Sequence, residues 1–149
     1  MSQRRGRELA IQVLYKLDID ENDNPSGTDK CSDQEILELM NYLAKEEHVR
    51  SMSYLLVKGV MDKREKIDKI IELAAENWNI YRLSAIDRCI LRLAGYEMAY
   101  LDDVPYKVAI NEAIEIAKRF SSMKSARFVN GVLDRMHRII DRSKRQNPG

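Results

Sequence analysis

Proline and glycine are scarce, three and six in 149 residues. So few turn formers leave little room for the many short strands of a sandwich or barrel, and no stretch alternates apolar and polar residues as a half-buried strand does. Histidine occurs twice, at His48 and His137, and cysteine twice, at Cys31 and Cys89, with no CxxC and no pair at metal-ligand spacing. Those absences exclude the common zinc patterns and leave two reduced thiols, the pattern of a cytoplasmic protein. No apolar run approaches the roughly 18 residues of a membrane span. The start, "MSQRRGRE", lacks the apolar stretch of a secretory signal. A Gly-rich phosphate loop is missing as well. The acids are abundant, but the pattern places none on an apolar face. Nothing here implies an enzyme, a cofactor or a metal.

What remains is 44% apolar and 33% charged, the balance of a globular chain, and it is patterned for helices. Ala10, Val13, Leu14 and Leu17 recur at helical spacing over residues 3–17, with Ser2 as a cap. The polar stretch "DENDNPSGTDKCSD", residues 20–33, reads as a surface loop. Further helices run through Ile36, Leu37, Met40 and Leu43, through Tyr54, Leu55 and Val57, and through Ile67, Ile70, Ile71 and Ala74 towards Trp78. At Ser84 to Asp87 a capping box opens a helix with Ile86, Ile90, Leu93 and Ala94 inward. Pro105 suits the first turn of the next, which points Ala109, Ile110, Ala113, Ile116, Ala117 and Phe120 inward. The fold class expected is therefore all-α.

A formal net charge of +1 hides a strong segregation. Residues 18–48 hold ten acids against Lys30 and Lys45, whereas residues 107–149 hold ten Lys and Arg against four acids. Arg4, Arg5 and Arg7 add a basic start in the first turns of a helix, where the dipole disfavours cations by a few tenths of a kcal/mol each. Such asymmetry suggests a polyanion or an acidic partner on one surface, although an unevenly charged solvated surface would look the same.

The pair Asn130–Gly131, inside "MKSARFVNGVLDRM", is the usual signature of a hairpin turn. Yet Val129, Val132, Leu133, Met136, Ile139 and Ile140 form one stripe when projected at about 100° per residue. A helix over 123–142 follows, capped by Ser122 or Ser125. Gly131 then costs about 1 kcal/mol against alanine and lies away from the stripe. Beside it run Lys124, Phe128, Arg135 and Arg142, a basic row with one aromatic ring and one missing side chain. Single-stranded nucleic acid fits that row: cations meet phosphates, a base stacks on the ring, and glycine permits close approach. A half-buried Phe closing the core edge beside ordinary solvated cations fits it too.

The stretches "RRGRELAIQVLY", "NWNIYRLSAIDRCILRLAGYEM", "DVPYKVAINEAIEIAKRF" and "RFVNGVLDRM", in this order and spacing, resemble the NusB family of bacterial transcription antitermination factors. The resemblance covers nearly the whole chain apart from the loop around 20–33 and the basic tail. It implies about seven helices in two packed bundles. The expected NusB-like domain spans 1–145, with subdomains of about 1–78 and 79–145 and a disordered tail at 146–149. It also implies binding to the single-stranded boxA element of ribosomal RNA leader transcripts together with ribosomal protein NusE. In that family the pair helps RNA polymerase read through terminators within an antitermination complex. Matched to the family's RNA contacts are Arg4, Arg5, Arg7 and Phe128, with Lys124, Ser125 and Arg127 lining the same site. Arg135 joins them from the basic row. Tyr15 and Asp87 match the family's NusE contacts. One departure is "FSSMKSARF": where relatives often carry a glycine and an acid, this chain has Ser121 and Lys124.

A competing expectation is a protein-only adaptor or homodimer that turns the Phe128 ridge towards another subunit.

Overall fold

The computed structural model describes residues 3–23, 33–76 and 79–146. It contains six α-helices and one 3-10 turn: α1 (Gln3–Asp23), α2 (Asp33–Leu43), α3 (Glu47–Ala74), the turn Ile80–Arg82, α4 (Ala85–Tyr100), α5 (Tyr106–Phe120) and α6 (Met123–Gln146). The all-α expectation holds, with six α-helices and the 3-10 turn among the described residues where about seven helices were expected. Ser2, Trp78, residues 24–32 of the expected loop and 147–149 of the expected tail lie outside the described residues.

α4 is the centre. Every residue from Arg88 to Gly95 is buried, and α1, α3, α5 and α6 all pack on this helix. A helix apolar on one face only could not be surrounded in this way. Ile90, Leu91 and Leu93 meet Ile67 and Ile71 of α3 and Leu133 and Met136 of α6 in one continuous buried cluster that begins with Leu9, Ala10 and Val13 of α1. The Tyr96 ring of α4 lies over Gly59 of α3: a Cβ there would sit 2.1 Å from it.

Two corrections concern charge. The pattern put no acid on an apolar face, but Asp18 and Glu97 are buried, at 5% and 2% exposure. Each answers buried arginine. Arg88 donates to Asp18 at 2.5 Å and to the carbonyls of Ile80 and Leu83, and Arg92 donates to Asp18 at 3.2 Å and to Asp68 at 2.8 Å. These contacts tie α1, α3 and α4 together, and full hydrogen bonding is what makes buried charge tolerable. The second correction is the end of α1, expected near residue 17 and found at Asp23. Asp18 to Arg88 and Glu21 to Arg64, at 2.5 Å, hold the extra turns in place of apolar packing.

Smaller differences lie at helix ends. Pro105 is the N-cap of α5 and not a first-turn residue. Phe120, expected inward, closes α5 at 38% exposure. Among the described residues no helix is long and apolar enough to cross a membrane.

Candidate nucleic-acid interface

The start of α6 is built by two serines. Ser122 Oγ accepts from the Ser125 amide at 3.0 Å, which makes Ser122 the cap. Ser125, largely buried, donates its hydroxyl to the Asp87 carboxylate in the first turn of α4. Asp87 in turn donates its amide to Ser84 Oγ at 3.2 Å. The carboxylate expected to close a capping box thus reaches across to α6, and one negative charge serves two helix N-termini.

From this anchored turn Lys124 and Arg127 project into solvent, and Phe128 lies half-buried against the core edge. The Asn130–Gly131 pair is helical. A Cβ on Gly131 would meet only the Arg135 guanidinium, at 3.8 Å, so packing does not require glycine there. Arg135 is less free than its exposure implies. Its Nε donates to the Ala74 carbonyl at 2.6 Å, capping the last turn of α3 with a cation. The planar head lies beside Gly131 and fills the gap that the sequence pattern left open.

The three N-terminal arginines separate into two kinds. Arg4 pairs with Glu112 of α5 at 2.5 Å and Arg5 with Glu46 before α3, and both side chains are about half exposed, at 47% and 52%. Arg7 is buried at 3%, its guanidinium held by Glu97 through bonds of 2.8, 2.9 and 3.1 Å and flanked by Glu112 at 3.6 Å. The structure therefore brings Lys124, Ser125, Arg127 and Phe128 together on the first turns of α6. It sets Arg4 against Glu112 of α5 and Arg5 against Glu46 before α3, and withdraws Arg7 from the surface.

α5 joins the two groups. Glu112 faces Arg4, and about two turns on Arg119 pairs with Glu8 of α1 at 3.0 Å. Arg119 also lies over the exposed Phe120 ring at 5.5 Å, directly before the α5–α6 connection. This second cation and ring beside the α6 turn escaped the helical pattern. Phe120 falls on the inward stripe by spacing, and only its place at the end of the helix hinted otherwise.

Tyr15 is exposed at 39% on α1 and Asp87 half-buried on α4. The Arg88–Asp18 pair brings their neighbourhoods together, since Asp18 lies three residues beyond Tyr15 and Arg88 follows Asp87. Elsewhere His137 stacks on Tyr106 at 3.6 Å. Among the described residues no three His, Cys, Asp or Glu side chains cluster to hold a metal.

The NusB family model matches residues 4–138, almost the whole described chain. The chain belongs to the NusB family. It is 46% identical over 136 residues to the transcription antitermination protein NusB of Desulfotalea psychrophila, covering 90% of this chain and 94% of the relative. Against the Bacillus subtilis NusB it is 38% identical over 143 residues, covering 96% and 100%. T. maritima NusB superposes with a TM-score of 0.77 at 29% identity, over 93% of this chain and 92% of that one. A chain from a crystal structure of the antitermination factors NusB and NusE in complex with double-stranded RNA gives 0.75 at 25% identity, over 92% and 96%.

Proposed function

We propose that this NusB-family chain is a transcription antitermination factor that binds boxA-type single-stranded RNA of ribosomal RNA leaders jointly with NusE. In this reading it acts in the cytoplasm within the RNA polymerase antitermination complex, as a binding factor and not as an enzyme. The match over nearly the full length to proteins named for antitermination carries the reading. The solved NusB–NusE–RNA assembly supports the choice of partners.

Geometry supports the division of labour. Phe128 offers a ring from a rigid helix, Lys124 and Arg127 flank it with free cations, and Arg119 and Phe120 extend the surface around the α5–α6 turn. Arg4 and Arg5 contribute by exchanging their carboxylate partners, the partly buried Glu112 and the exposed Glu46, for phosphates. The exposed Arg5–Glu46 pair is worth at most about 1 kcal/mol, so that exchange is inexpensive. Arg7 positions α1 and does not touch RNA. Ser125 acts from the turn that Asp87 anchors, and Tyr15 with Asp87 forms the NusE side.

Fluorescence anisotropy of a labelled boxA RNA tests this, with scrambled single-stranded and duplex RNA as controls and NusE absent or present. Tight binding to boxA, strengthened by NusE, and a loss of about 1–3 kcal/mol in Phe128→Ala are expected. Equal, weak, salt-sensitive binding to all three RNAs would refute the reading. A change of oligomeric state in Phe128→Ala with RNA affinity unchanged would favour the adaptor instead.

A further inference from the structure

Cations continue along α6 far beyond the turn that carries Phe128. At about 100° per residue, Lys124, Arg127, Arg135, Arg138, Arg142 and Arg145 share one sector of about 100° with Phe128 and Gly131. No acid falls in that sector. All six cations are exposed, and Lys124 to Arg142 spans about 27 Å at 1.5 Å per residue. The RNA surface proposed above uses only the first turns of this helix. Arg138 and Arg142 have no part in it, and Arg142 lies past residue 138, where the family match ends.

Most of this charge is uncompensated. Lys124, Arg127, Arg138 and Arg142 have no ion-pair partner among the described residues. Arg145 pairs with Asp141 at 3.2 Å, and Arg135 holds the Ala74 carbonyl while its terminal nitrogens lie over Gly131. Acids border the stripe on both sides. Asp134 and Asp141 fall just outside one edge by the same projection. At the other edge Arg135 meets the end of α3, which carries Glu72 and, just past it, Glu76. Apart from the Asp141–Arg145 pair, none of these acids holds a cation of the stripe. A row of cations on one rigid face complements a polyanion. One end of the row is the Phe128 turn, so a strand stacked there runs on to the stripe without leaving the helix. That continuity favours RNA over an acidic protein.

We infer that the C-terminal half of α6, through Arg138 and Arg142, holds the phosphates of single-stranded RNA flanking the element bound at Phe128. The inference rests on the RNA reading above and adds a second, sequence-independent segment to the footprint. Phosphate contacts position a strand and do not read its bases. The probes are a labelled boxA RNA and the same RNA extended by about ten uridines at its 5′ or its 3′ end. They are titrated against the full chain at several salt concentrations. Arg138→Gln with Arg142→Gln removes two exposed cations and keeps good helix formers, and circular dichroism checks the fold. Lys66→Gln with Lys69→Gln removes the same charge from an exposed face of α3.

Extension at one of the two ends should tighten binding about tenfold, and the α6 double variant should lose that gain. Its salt slope on the extended RNA should fall by about 1.4, or about 0.7 for each counterion no longer released. The α3 double variant should keep the gain. An extension that adds nothing at either end overturns the inference, as does a gain that survives in the α6 variant. Equal loss in the α3 variant overturns it in favour of net charge alone. Polyglutamate displacing the extended RNA as well as oligo-uridine of equal charge overturns it in favour of an acidic protein. Wild-type protein that binds the element no better than a scrambled RNA refutes the boxA reading itself, and the inference with it.

Discussion

Replacing Arg7 by Met distinguishes a side chain that reads RNA from one that holds α1 in place. Arg7 and Glu97 are exposed at only 4% and 2% of their side chains, and three hydrogen bonds join them. Arg7→Met keeps an unbranched stem of similar reach and leaves the Glu97 carboxylate buried without its cation. Removing one member of a buried pair costs about 3–5 kcal/mol. With a urea slope of about 2 kcal/mol per molar for a chain of this size, the unfolding midpoint should fall by about 1.5–2.5 M. Coincident circular dichroism and tryptophan fluorescence melts would secure the two-state treatment. Met at both positions should recover most of the loss, because an apolar pair of similar volume is often no worse than a buried ion pair. Glu112 does not become an orphan in either variant, since Arg4 still holds it at 2.5 Å. A shift below about 1 kcal/mol in Arg7→Met, with RNA affinity falling, would refute the structural assignment and return Arg7 to the RNA surface.

Three further outcomes follow from single contacts. Burial pushes the Cys89 thiol up to about 12, so in a Cys31→Ser background it should resist a thiol reagent at neutral pH and react once urea unfolds the chain; rapid native labelling would contradict its burial. Gly131→Ala meets nothing closer than the Arg135 guanidinium at 3.8 Å, so it should stabilise the fold by up to about 1 kcal/mol in a thermal melt, while weakened RNA binding would show that close approach matters. The Arg64 hydrogen bond holds the Glu21 carboxyl below its ordinary 4.5, and that stability is present above 4.5 and lost as pH falls through the lower folded value. Glu21→Gln should therefore flatten the acid limb of the stability curve, by less than about 1 kcal/mol because the pair is exposed; an unchanged limb would dismiss the pair.

Helix identity was legible wherever an apolar stripe carried it. α6 shows this best: the stripe from Val129 to Ile140 outweighed the hairpin signal of Asn130–Gly131, and the pair is helical. Patterning failed where charge does the packing. Asp18, Arg88, Arg92 and Glu97 read as surface residues by type, yet all four are buried, because Asp18 meets Arg88 and Arg92 and Glu97 meets Arg7, each between α1 and α4. Only tertiary placement reveals such partners, since Asp18 and Arg88 are 70 residues apart. The end of α1 was missed for the same reason. Of the expected site residues, the exposure of Lys124 and Arg127 beside a half-buried Phe128 was readable, but the burial of Arg7 and the hold of Ala74 on Arg135 were not.

The cluster of cations at the start of α1 opposes the helix dipole, and the structure gives the compensation. Arg4, Arg5 and Arg7 find carboxylates on three different elements: Glu112 on α5, Glu46 before α3 and Glu97 on α4. A charge-assisted pair outweighs a dipole cost of a few tenths of a kcal/mol when it is buried and hydrogen-bonded, as for Arg7, and roughly balances it when exposed. Arg7 therefore fixes the direction of α1 against α4, while Arg4 and Arg5 keep half-exposed side chains in the same turns. Two half-exposed arginines held in place suit the polyanion of the proposed function, because the turn that presents them is fixed by Arg7 and not by their own partners. One buried arginine thus holds the turn that carries its two half-exposed neighbours.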